Sequence, residues 1–599
     1  MDDEILRYYE QELTFVRKMG EEFARKYPKV ASRLQLEPGK CDDPNTERLI
    51  EAFAFIAGRI HKKIEDDFPE ITESLLNIVY PHYTRPIPSM SIVDFQAIRK
   101  SVPPEGYRID KGVSLYSKQV GGIPCRFTTC YPLTLWPLEI ESAVLKDPKH
   151  GVANAQQALV LTLKPEEGLS FSQLELDSLR FFLNGSAQQM FPLYELLGNN
   201  VCEVICEFRN QQGRRETVNL GPKSLQPAGL EPDEAIMPYT ERSFPGYGLL
   251  LEYFCFPEKF LFFDLKGLSR VREKKPKDTV EVWLYLDRPA KGNIALSAGN
   301  FLIHAVPVIN LFTRIAEPIW VGHTRTEYQV VPDARRPQGT EIFSIDSVTA
   351  SSEKHEEALE FHPFYSLRHH LEADDGSRKA FWRSERRPSG RKGDDGTDVF
   401  ISFTDWDLKP ADPGIETLMV GITCTNRDLP GRLPFGDADG DFEMEISAPV
   451  SKITCLVKPT PTRRPALGAS LQWRLISHLS LNYLSITQGG EDALKELLKL
   501  YDFDDSPATR QQIQGITGLK SAYVTRRIGQ SFCRGISVTV EFDEDKYVGS
   551  GLYLFASILE RFLAQYVSIN SFAQMTAKTL QRKEPLHTWQ PRNGNRILL

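Results

Sequence analysis

The residues able to do chemistry are plentiful, but their spacing fails the geometry that each reaction class demands. His355-Glu356 begins like a zinc-binding helix, yet the next histidine, His362, is seven residues on, so one helix could not turn both imidazoles to a metal. His369-His370 beside Asp374-Asp375 is only a polar cluster. The pairs Cys125/Cys130 and Cys202/Cys206 lack the Cys-x-x-Cys spacing of zinc ribbons. The alternation from Cys202 to Cys206 reads as a strand with both thiols packed on one core face. Asp437-Ala438-Asp439-Gly440-Asp441 opens like a calcium loop, but puts Phe442 at the sixth place, where the turn needs glycine. No phosphate-binding GxxxxGK[ST] loop and no GxSxG elbow occur. No catalytic residue, metal, nucleotide or other cofactor is therefore expected. A glycosidase needs only two carboxylates at a set separation. A β-rich hydrolase acting on a polysaccharide stays open as the alternative.

The 599 residues are 41% hydrophobic and 25% charged, which excludes a mostly disordered chain and suggests about four domains. A net charge of −8 gives no footprint for nucleic acid. Nine cysteines, an odd set, in a chain opening Met1-Asp2-Asp3-Glu4 read as reduced thiols of a cytoplasmic protein without a secretory signal. The apolar run 249–265 is interrupted by Glu252, Pro257, Glu258 and Lys259, so no direct membrane insertion is expected. It reads instead as two buried strands around a Phe-Pro-Glu-Lys turn.

What must position any site is an α+β multidomain chain. The N-terminal helical segment spans 1–90. Ile5, Tyr9, Leu13, Val16, Met19, Phe23 and Tyr27 recur at steps of three and four until Pro28 stops the helix. Asp43-Pro44 announces a second helix with the stripe Leu49, Phe53, Ile56, Ala57, Ile60 and Ile64, and Pro69 a third. These helices either form an ordinary subdomain or carry stripes that partner chains complete. β-rich modules follow at 91–225, 226–350 and 351–465, with strands such as 92–95, 158–163, 201–208 and 280–286. Within the third, a polar loop at 370–396 carries Arg378, Lys379, Arg383, Arg386, Arg387, Arg391 and Lys392. It reads as a solvated insertion, dispensable for folding. The C-terminal α+β domain, 466–599, holds a short amphipathic helix at 493–500, the alternating strand Ile536–Phe542 and a helix striped by Leu552, Phe555, Leu559, Phe562, Leu563 and Tyr566.

Long blocks of the sequence resemble one family. YYEQELTFVRKMGEEFARKYP (8–28), DPNTERLIEAFAFIAGRIHKKIEDDFPE (43–70), DEAIMPYTERSFPGYGLLLEYFCFPEKFLFFDL (233–265), TCTNRDLPGRLPFG (423–436) and GSGLYLFASILERFLAQYVSINSF (549–572) are similar to TssF, also called VasA or ImpG, a baseplate subunit of type VI secretion. The likeness runs along nearly the whole chain and is weakest at 350–400. It implies a contractile tail-like wedge protein. Two copies would join one TssG-like subunit, TssK-like and TssE-like subunits would complete the wedge, and wedges would surround a VgrG-type spike as the platform for tube and sheath. The assembly would sit in the bacterial cytoplasm, docked to the inner-membrane complex. Under this resemblance Ile5, Tyr9, Val16, Met19, Phe23, Phe53 and Ile60 are the expected partner-binding residues of the helical bundle. Phe555, Leu559 and Phe562 are expected to contact a second copy or a neighbouring wedge, the other reading being full burial within their own domain.

Overall fold

The computed structural model describes residues 3–27, 29, 36–37, 40–41, 44–66, 76–77, 80–240, 245–290, 295–321, 325–351, 359–364, 381–404, 417–464, 490–504, 506–528, 531–565, 567 and 571–594. The chain divides into two compact units, Met1–Val79 with Ala466–Leu479, and Tyr80–Pro465 with Ser480–Leu599.

The first unit holds the helices Asp3–Lys26 and Pro44–Asp66, the first ending before Pro28 and the second starting on Pro44 as the sequence requires. Between them Leu36–Glu37 pairs with Lys40–Cys41. The third helix expected from Pro69 lies outside the described residues.

The second unit is built on β-structure. A closed six-stranded barrel runs 305–309, 90–97, 450–455, 442–444, 114–120 and 123–129. Its strands come from three of the stretches divided above, so long connections return the chain to one barrel. Beside it an antiparallel five-stranded sheet orders 215–219, 201–210, 276–286, 157–165 and 138–146. Here a register shift separates Val201 from Glu203. The shift corrects the one-face reading of the two thiols: Cys206 is fully buried, whereas Cys202 packs beside Ile205, Trp283 and Tyr285.

The described strands between 312 and 425 form a β-sandwich. One sheet orders 312–315, 417–425, 341–351 and 359–361, with 319–320 also on 417–425; the other orders 327–330, 397–404 and 381–388. Val348, Val420 and Ile422 of the first face Val399, Ile401 and Phe403 of the second in one core. The dispensable-loop reading is thereby corrected. Phe381–Pro388 is a full strand paired with Thr397–Thr404, and Phe381 is buried. Its arginines read as solvated because their partners are distant in sequence. Arg386 donates to the carbonyls of Ile342 and Phe343 and to Thr397, while Arg387 forks onto Glu327 and Glu385. Residues 365–380, with Arg378, Lys379 and the histidine pair, lie outside the described residues, as does His355-Glu356.

A polar joint ties barrel to sandwich. Asn426 accepts the Arg126 N–H and the Asn310 amide, and the Arg427 guanidinium forks onto Asp394 at 2.7 and 2.8 Å. Arg464 bridges the buried Glu341 and Asp428. A Cβ on Gly396 would run into the Arg427 guanidinium, so any larger residue there must displace it from Asp394. Asp441 of the calcium-like loop is likewise structural: it accepts the N–H groups of Gly436, Asp437 and Cys455.

The 249–265 run also departs from expectation. Pro245–Cys255 is a helix, Pro257–Phe260 a 3₁₀ turn, and only Phe262–Lys266 a strand. A short run apolar on all sides fits a buried helix as well as a strand, and periodicity cannot separate them. Glu252 decides it. Its carboxylate accepts the N–H groups of Ile236 and Met237 at 2.9 and 3.0 Å and binds the Lys259 ammonium, with both side chains 1% exposed.

In the C-terminal part, the long hairpin Ile516–Ile528 and Ser531–Phe542 adds Ser571–Thr579 in parallel. The helix Leu552–Ala564 makes the crossover that parallel strands need.

Two histidines, His82 buried and His304 half-buried, give the fold an acid limit. His82 donates from Nε2 to the Pro238 carbonyl, leaving Nδ1 buried without a partner. His304 accepts the Trp136 N–H on Nε2, which only an unprotonated nitrogen can do. Burial pushes both down to about 4. The unfolded chain binds these protons near pH 6.5 and the folded one does not. Their stabilisation is complete above pH 6.5 and lost as pH falls toward 4, about 3 kcal/mol for each. Asp94, raised to about 6 by burial, acts in the opposite sense, losing stability between pH 4 and 6 as pH rises. Together these three groups contribute a loss of about 3 kcal/mol between pH 7 and 4, so urea midpoints should fall with acidification, and less steeply in His82→Gln.

Candidate partner-binding surface

The N-terminal helices are antiparallel: Arg17 pairs with Glu47, and Tyr9 meets Phe55 edge-on with ring centroids 6.3 Å apart. The second helix turns its small residues inward. Ala54 and Gly58 are buried, and both permit close helix approach. Its large apolar stripe lies on another face, with Leu49 70%, Phe53 61% and Ile56 55% exposed. On the first helix Tyr9, Leu13 and Val16 are half-buried, whereas Phe15, Met19, Phe23 and, just beyond its end, Tyr27 stand exposed at steps of four.

Helices normally bury such stripes, because each fully covered Phe, Leu or Ile side chain gains about 1.5–3 kcal/mol. Two uncovered stripes on one hairpin therefore make a surface of the kind that protein contacts occupy.

Of the expected residues, Met19, Phe23 and Phe53 lie on this surface. Tyr9 and Val16 are half-buried at its edge, and the side chains of Ile5 and Ile60 lie outside the described residues. Phe15 was missed because it falls off the three-and-four stripe. Leu49 and Ile56 were on the predicted stripe but not singled out. The readable signal was the alanine and glycine at 54 and 58, which mark the face turned to the neighbouring helix.

The C-terminal residues take the other reading, burial within their own domain. Phe555, Leu559 and Phe562 are each 0% exposed. Phe555 is enclosed by the rings of Tyr253, Phe254, Phe542 and Tyr547, and Phe562 meets Tyr247. The helix is covered on one side by its sheet and on another by Pro245–Cys255, the segment misread as a strand, so its wide apolar face is core. These three side chains present nothing to a second copy.

A cleft of about 520 Å³ near the C-terminus contains Glu560, His587 and Arg592. Glu560 is clasped by Arg561 at 2.9 Å and by Arg592 at 3.1 Å. No cluster of metal-ligating side chains occurs among the described residues, and no described helix is long and apolar enough to cross a membrane.

Comparison with known proteins identifies the family. The family model described as "Type VI secretion system, TssF" matches residues 1–596. The type VI secretion system component TssF1 of Pseudomonas aeruginosa is 35% identical, with all of both chains covered. Among solved structures, a chain of a TssK-TssF-TssG baseplate subcomplex of the type VI system, determined by cryo-electron microscopy, matches 92% of this chain and 99% of its own with a TM-score of 0.74 and 28% identity. A chain of the type VI baseplate complex matches 99% of this chain and 100% of its own, with a TM-score of 0.59 and 26% identity. The relatives are baseplate proteins and give the hydrolase alternative no support. With the family model running along almost the entire length, this chain belongs to the TssF family of type VI secretion baseplate components.

Proposed function

We propose that this chain acts by binding, as a structural subunit of a baseplate wedge in which two copies join one TssG-like subunit. The observation that carries the reading is the pair of uncovered stripes, centred on Phe53 and Met19, in a family whose solved members stand beside TssK and TssG. The stripes are completed by helices of the TssG-like subunit and of the second copy, giving an intermolecular bundle. TssK-like and TssE-like subunits complete the wedge. Wedges around a VgrG-type spike then present the platform on which tube and sheath polymerise, in the cytoplasm against the inner-membrane complex.

Co-expression with a TssG-like subunit tests this, with the mass of the purified complex measured by light scattering. A stable two-to-one complex is the expected result. A monodisperse monomer that ignores the subunit and cleaves a glycan would instead favour the hydrolase.

A further inference from the structure

A cleft of about 330 Å³ opens where the barrel meets the sandwich, within the size range of ligand and peptide sites. Its charged lining is Arg126, Arg314 and Arg336 against one carboxylate, Asp333, in a chain whose net charge is −8. Asp333 is already spent: one oxygen takes the Arg314 guanidinium at 3.0 Å, and the other accepts the N–H groups of Arg335 and Arg336. Glu445 is engaged by the Tyr116 hydroxyl. Among the described residues, no ion pair compensates Arg126 or Arg336.

Arg126 is fixed before any ligand arrives. Its Nε and Nη2 donate to Ser114 Oγ at 3.1 and 2.9 Å, and its guanidinium lies 5.8 Å from the Tyr116 ring centroid and 5.7 Å from that of Phe312. Its backbone N–H is held by Asn426. Nη1 makes no hydrogen bond among the described residues. A guanidinium held this way has already lost the rotamer freedom that binding would otherwise cost.

The wall supplies a second recognition element. Phe312, Thr313 and Arg314 of the cleft belong to the strand Phe312–Ile315, which stands at the edge of its sheet. One side of an edge strand has backbone groups free to pair with an added strand.

We propose that an extended acidic segment of another protein docks here, adding a strand beside Phe312–Ile315 and setting a carboxylate on Arg126 with Arg336 in support. The apolar side chains of Ile123 and Phe312 suit an alternation of acidic and apolar residues, since side chains of an added strand face the cleft two apart.

The test is fluorescence anisotropy of the full chain with a labelled hexapeptide alternating glutamate and valine, against a lysine–valine control. The acidic peptide should bind, the control should not, and added salt should weaken the contact. Arg126→Gln and Arg336→Gln should each weaken it about tenfold or more. Arg336 is exposed, so its variant keeps the test valid if Arg126→Gln disturbs the barrel. Equal binding of both peptides, no effect of either variant, or displacement by the same concentration of inorganic phosphate would each overturn the proposal. The last would mark a free-anion site without strand addition.

Discussion

Glu252→Ala should destabilise the chain by about 3–5 kcal/mol, the largest loss expected from any single polar substitution here. The change strands three groups at once. Lys259, 1% exposed, loses its counter-charge, and the N–H groups of Ile236 and Met237 lose their acceptor. A buried cation without a partner is far costlier than a buried pair is favourable. Two companions separate charge from hydrogen bonding. Glu252→Gln keeps an acceptor for the two N–H groups and should cost less. The double variant Glu252→Met with Lys259→Met removes both charges and should recover much of the loss, leaving mainly the two unsatisfied N–H groups. Urea unfolding with unchanged slope would measure all three. If Glu252→Ala moved the midpoint no more than a surface substitution, about 0.5 kcal/mol, the pair would not be the pin of this segment.

That segment also shows where the sequence was readable and where it was not. Strands such as Met90–Ala97, Gln157–Pro165 and Pro276–Leu286 were legible because β-branched residues and bounding turns act locally. So were Pro28 and Pro44, which set helix ends through their own rings. Pro245–Cys255 was not, since its all-round apolarity is explained by what packs on it. The strand Phe381–Pro388 was hidden for the opposite reason. Its arginines looked solvated, yet Glu327 and the Ile342 carbonyl that receive them lie some 40 to 60 residues away. The block 423–436 stood out as a long family-like string without any chemistry attached. In the fold it is the joint in which Asn426, Arg427 and Asp428 hold barrel and sandwich together. At the candidate surface the period-3.6 pattern located the two helices themselves. Only the packing distinguishes Ala54 and Gly58, facing inward, from Leu49 and Phe53, facing out.

The second large effect concerns association and leaves stability alone. Replacing Leu49 and Phe53 together by aspartate should abolish co-purification with a TssG-like subunit while the melting temperature of the isolated chain stays nearly unchanged. Both side chains are more than half exposed in the free chain, so their removal takes little from its own core. In a bundle they would contribute together about 3–6 kcal/mol, or roughly two to four powers of ten in affinity, before the added charges are counted. Val16→Asp is the graded companion: its half-buried side chain serves both the helix pair and the surface, so it should weaken association and cost some stability as well. Loss of the soluble chain in the Leu49/Phe53 variant would show that the stripe is internal core.

Amide hydrogen exchange with and without a TssG-like subunit tests the central claim most directly, because it reads the surface without altering it. Exchange should slow most in Asp3–Lys26 and Pro44–Asp66, the helices that carry the uncovered stripes. Unchanged exchange in both helices, with new protection confined to the barrel, the sandwich or the C-terminal hairpin, would contradict the account.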